Sequence, residues 1–298
     1  LIEVEENLPK WGIENQFESK FVTLANGVKI HYVEAGPADA PVLLLTHGFL
    51  GSWKDWRYNV GALAEQSPTP LRTIAFDWPP FGKSDKPDIA YSLFYYADIL
   101  RDFANALNLT EFDLMGHSMG GKHNLAFMLL NPVYVRKLIL VDTDGFVKDM
   151  WTVDHTKDGW YQPISKLFTN ILAKPKFLKL TLKNIIYNPK FYPPQSEIEE
   201  NARNFAQPDS KAGIQAMGYN LVALSLTKTG LKARLGEIKN PTLIIWGKQD
   251  RLLHINCGYE ARTYLPHAQF QVYEECGHLP QLEKAAEFNR LVLDFLAK

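Results

Sequence analysis

The sequence predicts an α/β protein, a mostly parallel central sheet flanked by helices and interrupted by an inserted helical segment. Three observations predict it. Short apolar runs recur along the chain, helical patterns separate them, and one long stretch carries helical patterns but no strand. At 298 residues the chain can bury one large core, or a core with an insertion.

Taken in order, KFVTLANGVKIHYVEA (20–35) reads as two strands joined at Asn26-Gly27, a pair that favours a type I′ hairpin. PVLLLTHG (41–48) is continuously apolar and ends in glycine, as expected of a strand buried on both faces. RTIAFDWPPFG (72–82) has the same form. LFYYADILRDFANALNL (93–109) spaces its apolar residues as a helix does. FDLMG (112–116), VRKLILVD (135–142), NPTLIIWG (240–247) and AQFQVYEE (268–275) are further strands, and AAEFNRLVLDFLAK is a terminal amphipathic helix. The expected division is a core formed by 1–145 and 237–298, with 146–236 as a helical cap. Within 159–196 stand Lys166, Lys174, Lys176, Lys179, Lys183 and Lys190, without any Asp or Glu. Lys176, Lys179 and Lys183 fall on one helical face, opposite Phe177, Leu178, Leu182 and Ile185. Such a face can attract an anionic substrate or a lipid surface, or simply be solvated.

Composition excludes some classes. A formal charge of −1 gives no footprint for nucleic acid. The apolar runs are far shorter than the roughly 20 residues a membrane span needs, so a soluble, cytoplasmic chain is expected, with secretion after removal of a leader as the alternative. Cys257 and Cys276 read as two thiols, with a single bridge between them as the alternative. The eight histidines show no paired metal-ligand spacing, and no dinucleotide motif occurs; neither metal nor cofactor is expected.

Gly116-His117-Ser118-Met119-Gly120 fits G-x-S-x-G between an apolar strand and a helical pattern. GHSMGGKH lacks the spacing of a phosphate loop and has no Ser or Thr after Lys122. A serine hydroxyl needs a base, and the base needs an orienting acid. His278 in CGHLPQLE follows the last strand, and Asp250 in WGKQDRLL follows the penultimate one. Asp142 and Asp144, after LILVD, are rival acids.

These segments together resemble the α/β-hydrolase fold superfamily, in its single-domain members with a helical cap. LLLTHGFLGSWKDW is similar to the family's oxyanion loop, AFDWPPFGKSDKP to its strand-turn segment, and GHSMGG to its elbow. LIIWGKQD is similar to its acid turn and CGHLPQLEKAAEFNRLVLDFL to its histidine turn and last helix. The resemblance implies Ser118 as nucleophile, His278 as base and Asp250 as the residue that fixes its tautomer. It also implies an oxyanion hole made by the backbone N–H groups of Phe49 and Met119. His47 and Asp77 read as loop braces, and His117 and His123 as neighbours of the nucleophile.

Dehalogenases and epoxide hydrolases of this fold carry an aspartate where this chain has Ser118. Carbon–carbon bond hydrolases of ring-cleavage pathways share the SMGG elbow, but usually carry Gly-Pro-Gly where this chain has HGFLGSW. An elimination enzyme of menaquinone synthesis has a similar loop, with Arg where Lys122 stands. Cofactor-free haloperoxidases or perhydrolases share the triad, and a non-catalytic receptor on this fold would have no need of it. The expectation is therefore a serine hydrolase of carboxylic esters, acting on an apolar small-molecule substrate through an acyl-enzyme, with C–C hydrolysis first among the alternatives. Trp151, Trp160 and Phe168 are candidate pocket residues. The oligomeric state is left open.

Overall fold

The computed structural model describes residues 17–146, 167, 169–171, 174–219 and 223–298. Each strand-like run of the sequence joins one sheet: β1 (Lys20–Thr23), β2 (Lys29–Ala35), β3 (Val42–Thr46), β4 (Arg72–Phe76), β5 (Phe112–His117), β6 (Val135–Val141), β7 (Thr242–Gly247) and β8 (Gln269–Tyr273). They lie in the order β1-β2-β4-β3-β5-β6-β7-β8. β2 is antiparallel to both β1 and β4, and all other neighbours are parallel.

The continuous apolar runs are explained by burial on both faces. Leu43, Leu45, Ala75, Met115, Ile139, Val141, Leu243 and Ile245 pack on one side, with Val60 and Leu63 of α1 (Val60–Gln66) and Phe288 and Val292 of a C-terminal helix. Their strand neighbours Leu44, Ile74, Phe76, Leu114, Leu138, Leu140, Ile244 and Trp246 pack on the other, against α2 (Leu93–Ala106) and α3 (Met119–Leu130). The period-2 side-chain alternation thus feeds two cores at once.

The β1–β2 connection differs from the type I′ turn that Asn26-Gly27 suggests. Leu24 N–H donates to Val28 O and Gly27 N–H donates to Leu24 O, each at 2.9 Å. Gly27 has φ +85°, whereas Asn26 is not among the residues of positive φ. Type I′ needs positive φ at both positions; a three-residue loop with glycine in the left-handed place does not.

Between β6 and β7 lie α4 (Pro175–Ile185), α5 (Gln195–Ala206) and α6 (Pro208–Tyr219), with 3-10 helices at Pro189–Phe191 and Leu231–Glu237. In α4 Leu178 is buried and Phe177, Leu182 and Ile185 are half-buried, while Lys176, Lys179 and Lys183 are exposed. The chain closes with α7 (Asn256–Tyr264), the single turn α8 (Pro280–Glu283) and α9 (Ala285–Leu296). Cys257 and Cys276 are both buried free thiols, and burial pushes both of them up. No helix among the described residues is long and apolar enough to cross a membrane.

Arg57, in the loop after β3, grips Glu197 of α5 through two hydrogen bonds of 2.9 and 2.8 Å, and both side chains are buried. Breaking a buried pair by removing one partner is far costlier than never having it. Glu197→Ala should therefore lower unfolding stability by on the order of 3 kcal/mol, read from urea denaturation. An unchanged midpoint would show that the pair does not tie α5 to the core.

Candidate active site

Ser118 stands between β5 and α3 at φ +52°, ψ −119°, a conformation that costs a non-glycine residue energy. The surrounding backbone holds it there. Its N–H donates to Val141 O of β6 (2.9 Å), and its carbonyl accepts N–H bonds from Lys122 (3.3 Å) and Asp144 (3.1 Å). The crossing is so close that a Cβ on Gly116 would lie 2.7 Å from Gly121 N, and one on Gly120 2.5 Å from His47 O. Only glycine fits at these two positions.

His278 enters from the loop after β8. Its Nδ1 donates to Asp250 Oδ2 at 2.7 Å, which leaves Nε2 as the acceptor. Asp250 Oδ1 accepts the N–H groups of Leu252 (2.7 Å) and Leu253 (2.9 Å). Burial alone would raise the Asp250 carboxyl; His278 and these backbone donors hold it below the usual carboxylate range instead. The His278 main chain is clamped at both ends. Its N–H donates to Ile185 O at the end of α4 (2.6 Å), and its carbonyl accepts His117 Nε2–H (2.7 Å). Burial and the neighbouring His278 keep His117 neutral, well below the usual imidazole range, against the opposing pull of its bond to His278 O.

The two rival acids are placed elsewhere. Asp144 pairs with Lys122 and accepts Gly145 N–H (2.6 Å). Asp142 lies behind Asp250, fully buried, with Oδ1 accepting Gly247 N–H (3.0 Å). One donor atom each from Asp142, Asp250 and His278 fall within 4.8 Å of one another, the one such trio of metal-type donors found among the described residues. Ligands about 2.0–2.2 Å from a tetrahedral ion stand more than about 3 Å apart. The 2.7 Å His278–Asp250 contact is instead a hydrogen bond.

The loop after β3 lies directly on the serine: a Cβ on Gly48 would meet His117 Nδ1 at 2.9 Å and Ser118 Cβ at 3.1 Å. His47 fixes this loop, donating from Nδ1 to Gly48 O (2.7 Å) and accepting Trp78 N–H on Nε2 (2.8 Å). Burial, opposed by Asp77, holds His47 below its usual range and so neutral. Asp77 accepts from Trp53 N–H (2.7 Å), Lys83 N–H (2.8 Å) and His31 Nδ1 (2.8 Å), joining the loops after β3 and β4 to strand β2. Phe49 is partly exposed beside Phe81, and Met119 opens α3, where the first four N–H groups of a helix have no intrahelical partner. His123 is away from this site, stacked on Tyr96 with ring centroids 3.8 Å apart in the core. Trp151, Trp160 and Phe168 lie outside the described residues.

Comparison with known proteins finds that residues 41–285 match the sequence profile of the alpha/beta hydrolase fold family. The chain belongs to the α/β-hydrolase fold family. A 2-hydroxy-6-oxo-6-phenylhexa-2,4-dienoate hydrolase of Burkholderia cepacia is 32% identical over 299 residues, covering 94% of this chain and 96% of its own. A 2-hydroxy-6-oxononadienedioate/2-hydroxy-6-oxononatrienedioate hydrolase of Comamonas testosteroni is 30% identical over 301 residues, with 94% and 96% covered. Among solved structures, a membrane phospholipase A described as a bacterial virulence factor superposes with TM-score 0.75 at 25% identity. The match covers 94% of this chain and 86% of that one. This α/β-hydrolase is thus a hydrolase, and the two relatives above are named as hydrolases of 2-hydroxy-6-oxo-dienoates.

Two supports of the α/β-hydrolase site went unseen in the sequence. His117 read only as a neighbour of the nucleophile. Glu283 accepts Gly277 N–H (2.9 Å) on one oxygen and Tyr187 and Asn188 N–H (2.8 Å each) on the other, binding the His278 loop to the end of α4. No motif marks it; its partners come together only in the fold.

Asp55, in the loop over the serine, has its carboxyl pushed up to about 7 by burial, with Arg57 opposing. An acid raised in the folded state binds protons the unfolded chain has released, so stability falls as pH rises from about 4 to about 7. In Asp55→Asn the thermal midpoint should vary less across that window than in wild type. Equal slopes in the two proteins would contradict the raised carboxyl.

Proposed function

We propose that this α/β-hydrolase cleaves a carbon–carbon bond next to a ketone in a 2-hydroxy-6-oxo-dienoate, the kind of product that ring cleavage yields. The observation that carries this reading is the near full-length similarity to hydrolases named for that substrate class, at 30–32% identity. It supersedes ester hydrolysis, the sequence's first expectation, as the better-supported reading.

The residues would act as follows. The Ser118 hydroxyl attacks the ketone carbon while His278 Nε2 takes its proton, and Asp250 keeps the ring in the tautomer that makes Nε2 basic. The N–H groups of Phe49 and Met119 receive the developing oxyanion, where one donor is worth roughly 2.7–4 kcal/mol of barrier. Breaking a C–C bond requires a leaving carbon that can hold an electron pair. The 2-hydroxy-dienoate first passes to its diketo form, its C2 hydroxyl proton being lost and a proton gained at C5; as C5–C6 breaks, the pair delocalises through C3=C4 onto the C2 oxygen, and protonation there leaves a 2-hydroxy-2,4-dienoate. Water then adds across the Ser118 acyl bond, releasing the acid. The segment 146–236 would serve as a cap over this site, a role supported by the 2.6 Å bond from His278 N–H to Ile185 O of α4.

Carboxylic-ester hydrolysis stands second, favoured by HGFLGSW in place of the Gly-Pro-Gly loop and by the phospholipase likeness. Turnover of 2-hydroxy-6-oxo-6-phenylhexa-2,4-dienoate, followed by loss of dienolate absorbance, decides between them when set beside p-nitrophenyl esters from acetate to long acyl chains. A higher kcat/KM on the dienoate, reduced roughly 10⁴-fold or more by Ser118→Ala, is expected. Turnover of esters with none of the dienoate would overturn the C–C reading and leave the serine mechanism intact.

A further inference from the structure

Asp142 is left over by the mechanism above, yet it sits fully buried behind the residue that orients the base. It follows β6 at φ +39°, with its N–H donating to Ile245 O (3.0 Å) and its Oδ1 accepting Gly247 N–H (3.0 Å) from the adjacent strand β7. Among the described residues no N–H or O–H donor faces its Oδ2. A buried carboxylate oxygen without a donor is costly, whereas a protonated one is itself a donor and needs an acceptor. Asp250 is the neighbouring group that can accept: a carboxylate oxygen of Asp142 and one of Asp250 lie within 4.8 Å of each other, and both groups are buried.

Two carboxyl groups this close, away from water, do not both ionise. Asp250 takes two backbone N–H bonds and the His278 ring, and Asp142 takes one backbone N–H. The charge therefore resides on Asp250 and the proton on Asp142. Burial and the charge of Asp250 both push the Asp142 carboxyl well above its usual range, in the same sense.

We propose that Asp142 is a positioning residue: as a neutral acid it donates a hydrogen bond to Asp250 and so limits how much of that carboxylate's charge reaches His278. This rests on the Ser118–His278–Asp250 reading but not on the choice between C–C and ester substrates. The other groups facing Asp142 are Glu283 of α8 and Cys276 of the histidine loop. Asp250, His117, Asp55 and Asp144 face His278. All of these stay in place in the comparison below.

The test is the pH dependence of kcat/KM for p-nitrophenyl acetate in wild type, Asp142→Asn and Asp142→Ala. Asn retains a donor toward Asp250, so the acidic limb stays where it is. Ala removes the donor, concentrates the Asp250 charge on the base, and moves that limb to higher pH by roughly half a unit or more. A limb displaced to lower pH in both variants would mean that a negative charge was lost, and that Asp142 is ionised. A limb unmoved in both would mean that it only fills space. Either result overturns the proposal. If Asp142→Ala does not fold, the wild-type minus Asp142→Asn infrared difference at neutral pH should show the carbonyl band of a protonated carboxylic acid; its absence would equally overturn the assignment. Ser118→Ala, assayed in parallel, should abolish ester turnover. Undiminished turnover there would sink the triad reading itself, whatever the Asp142 variants do.

Discussion

One strained residue organises this molecule. Ser118 can hold φ +52° only because β5, β6, α3 and the loop after β3 converge on it, and that convergence dictates much of the nearby sequence. Gly116 and Gly120 let the strand and helix cross without a Cβ between them. Two-sided burial of β3, β5 and β6 makes the floor of the corner rigid. The strain sits in a well-packed core that over-determines it.

Around that corner the fold spends buried polar groups on holding backbone rather than on chemistry. His47 and Asp77 fix the loop above the serine, His117 and Glu283 fix the histidine loop, and the two N–H groups at Leu252 and Leu253 fix Asp250. Most of these contacts join side chain to main chain, some of them across long sequence separations. Neutral His47 donates from one ring nitrogen and accepts on the other, so burial, which strips its charge, is part of how it binds. The result is a His278 whose main chain and ring are both anchored, as the proposed role of base requires.

The sheet was legible because strands buried on both faces leave unbroken apolar runs, such as VLLL and LIIW, that no exposed element would show. The hairpin was misjudged because its type follows from register: pairing Thr23 with Lys29 leaves Leu24 and Val28 to close a three-residue loop, which Asn-Gly alone does not reveal. Ser118, Asp250 and His278 stood out because each follows a strand in a short, recognisable turn. Asp250 was preferred to Asp142 through its likeness to the family's acid turn; both follow strands, and in the fold it is Asp250, held by the turn through Leu253, that pairs with His278. His117 and Glu283 could not be assigned their clamping roles, because their partners lie 161 and up to 96 residues away. Substrate class was the weakest reading, for a physical reason: discrimination rests on pocket shape, and the segment that would shape the pocket carries no motif.

The most direct measurement is labelling with a fluorophosphonate, which reacts far faster with a serine whose hydroxyl is activated by a base than with an ordinary one. Mass spectrometry should find one phosphonate, on the peptide that carries Ser118, and His278→Ala should abolish it while the protein remains folded. A folded wild-type chain left unlabelled at Ser118, or labelled equally well without His278, would contradict the nucleophile–base assignment on which the mechanism stands.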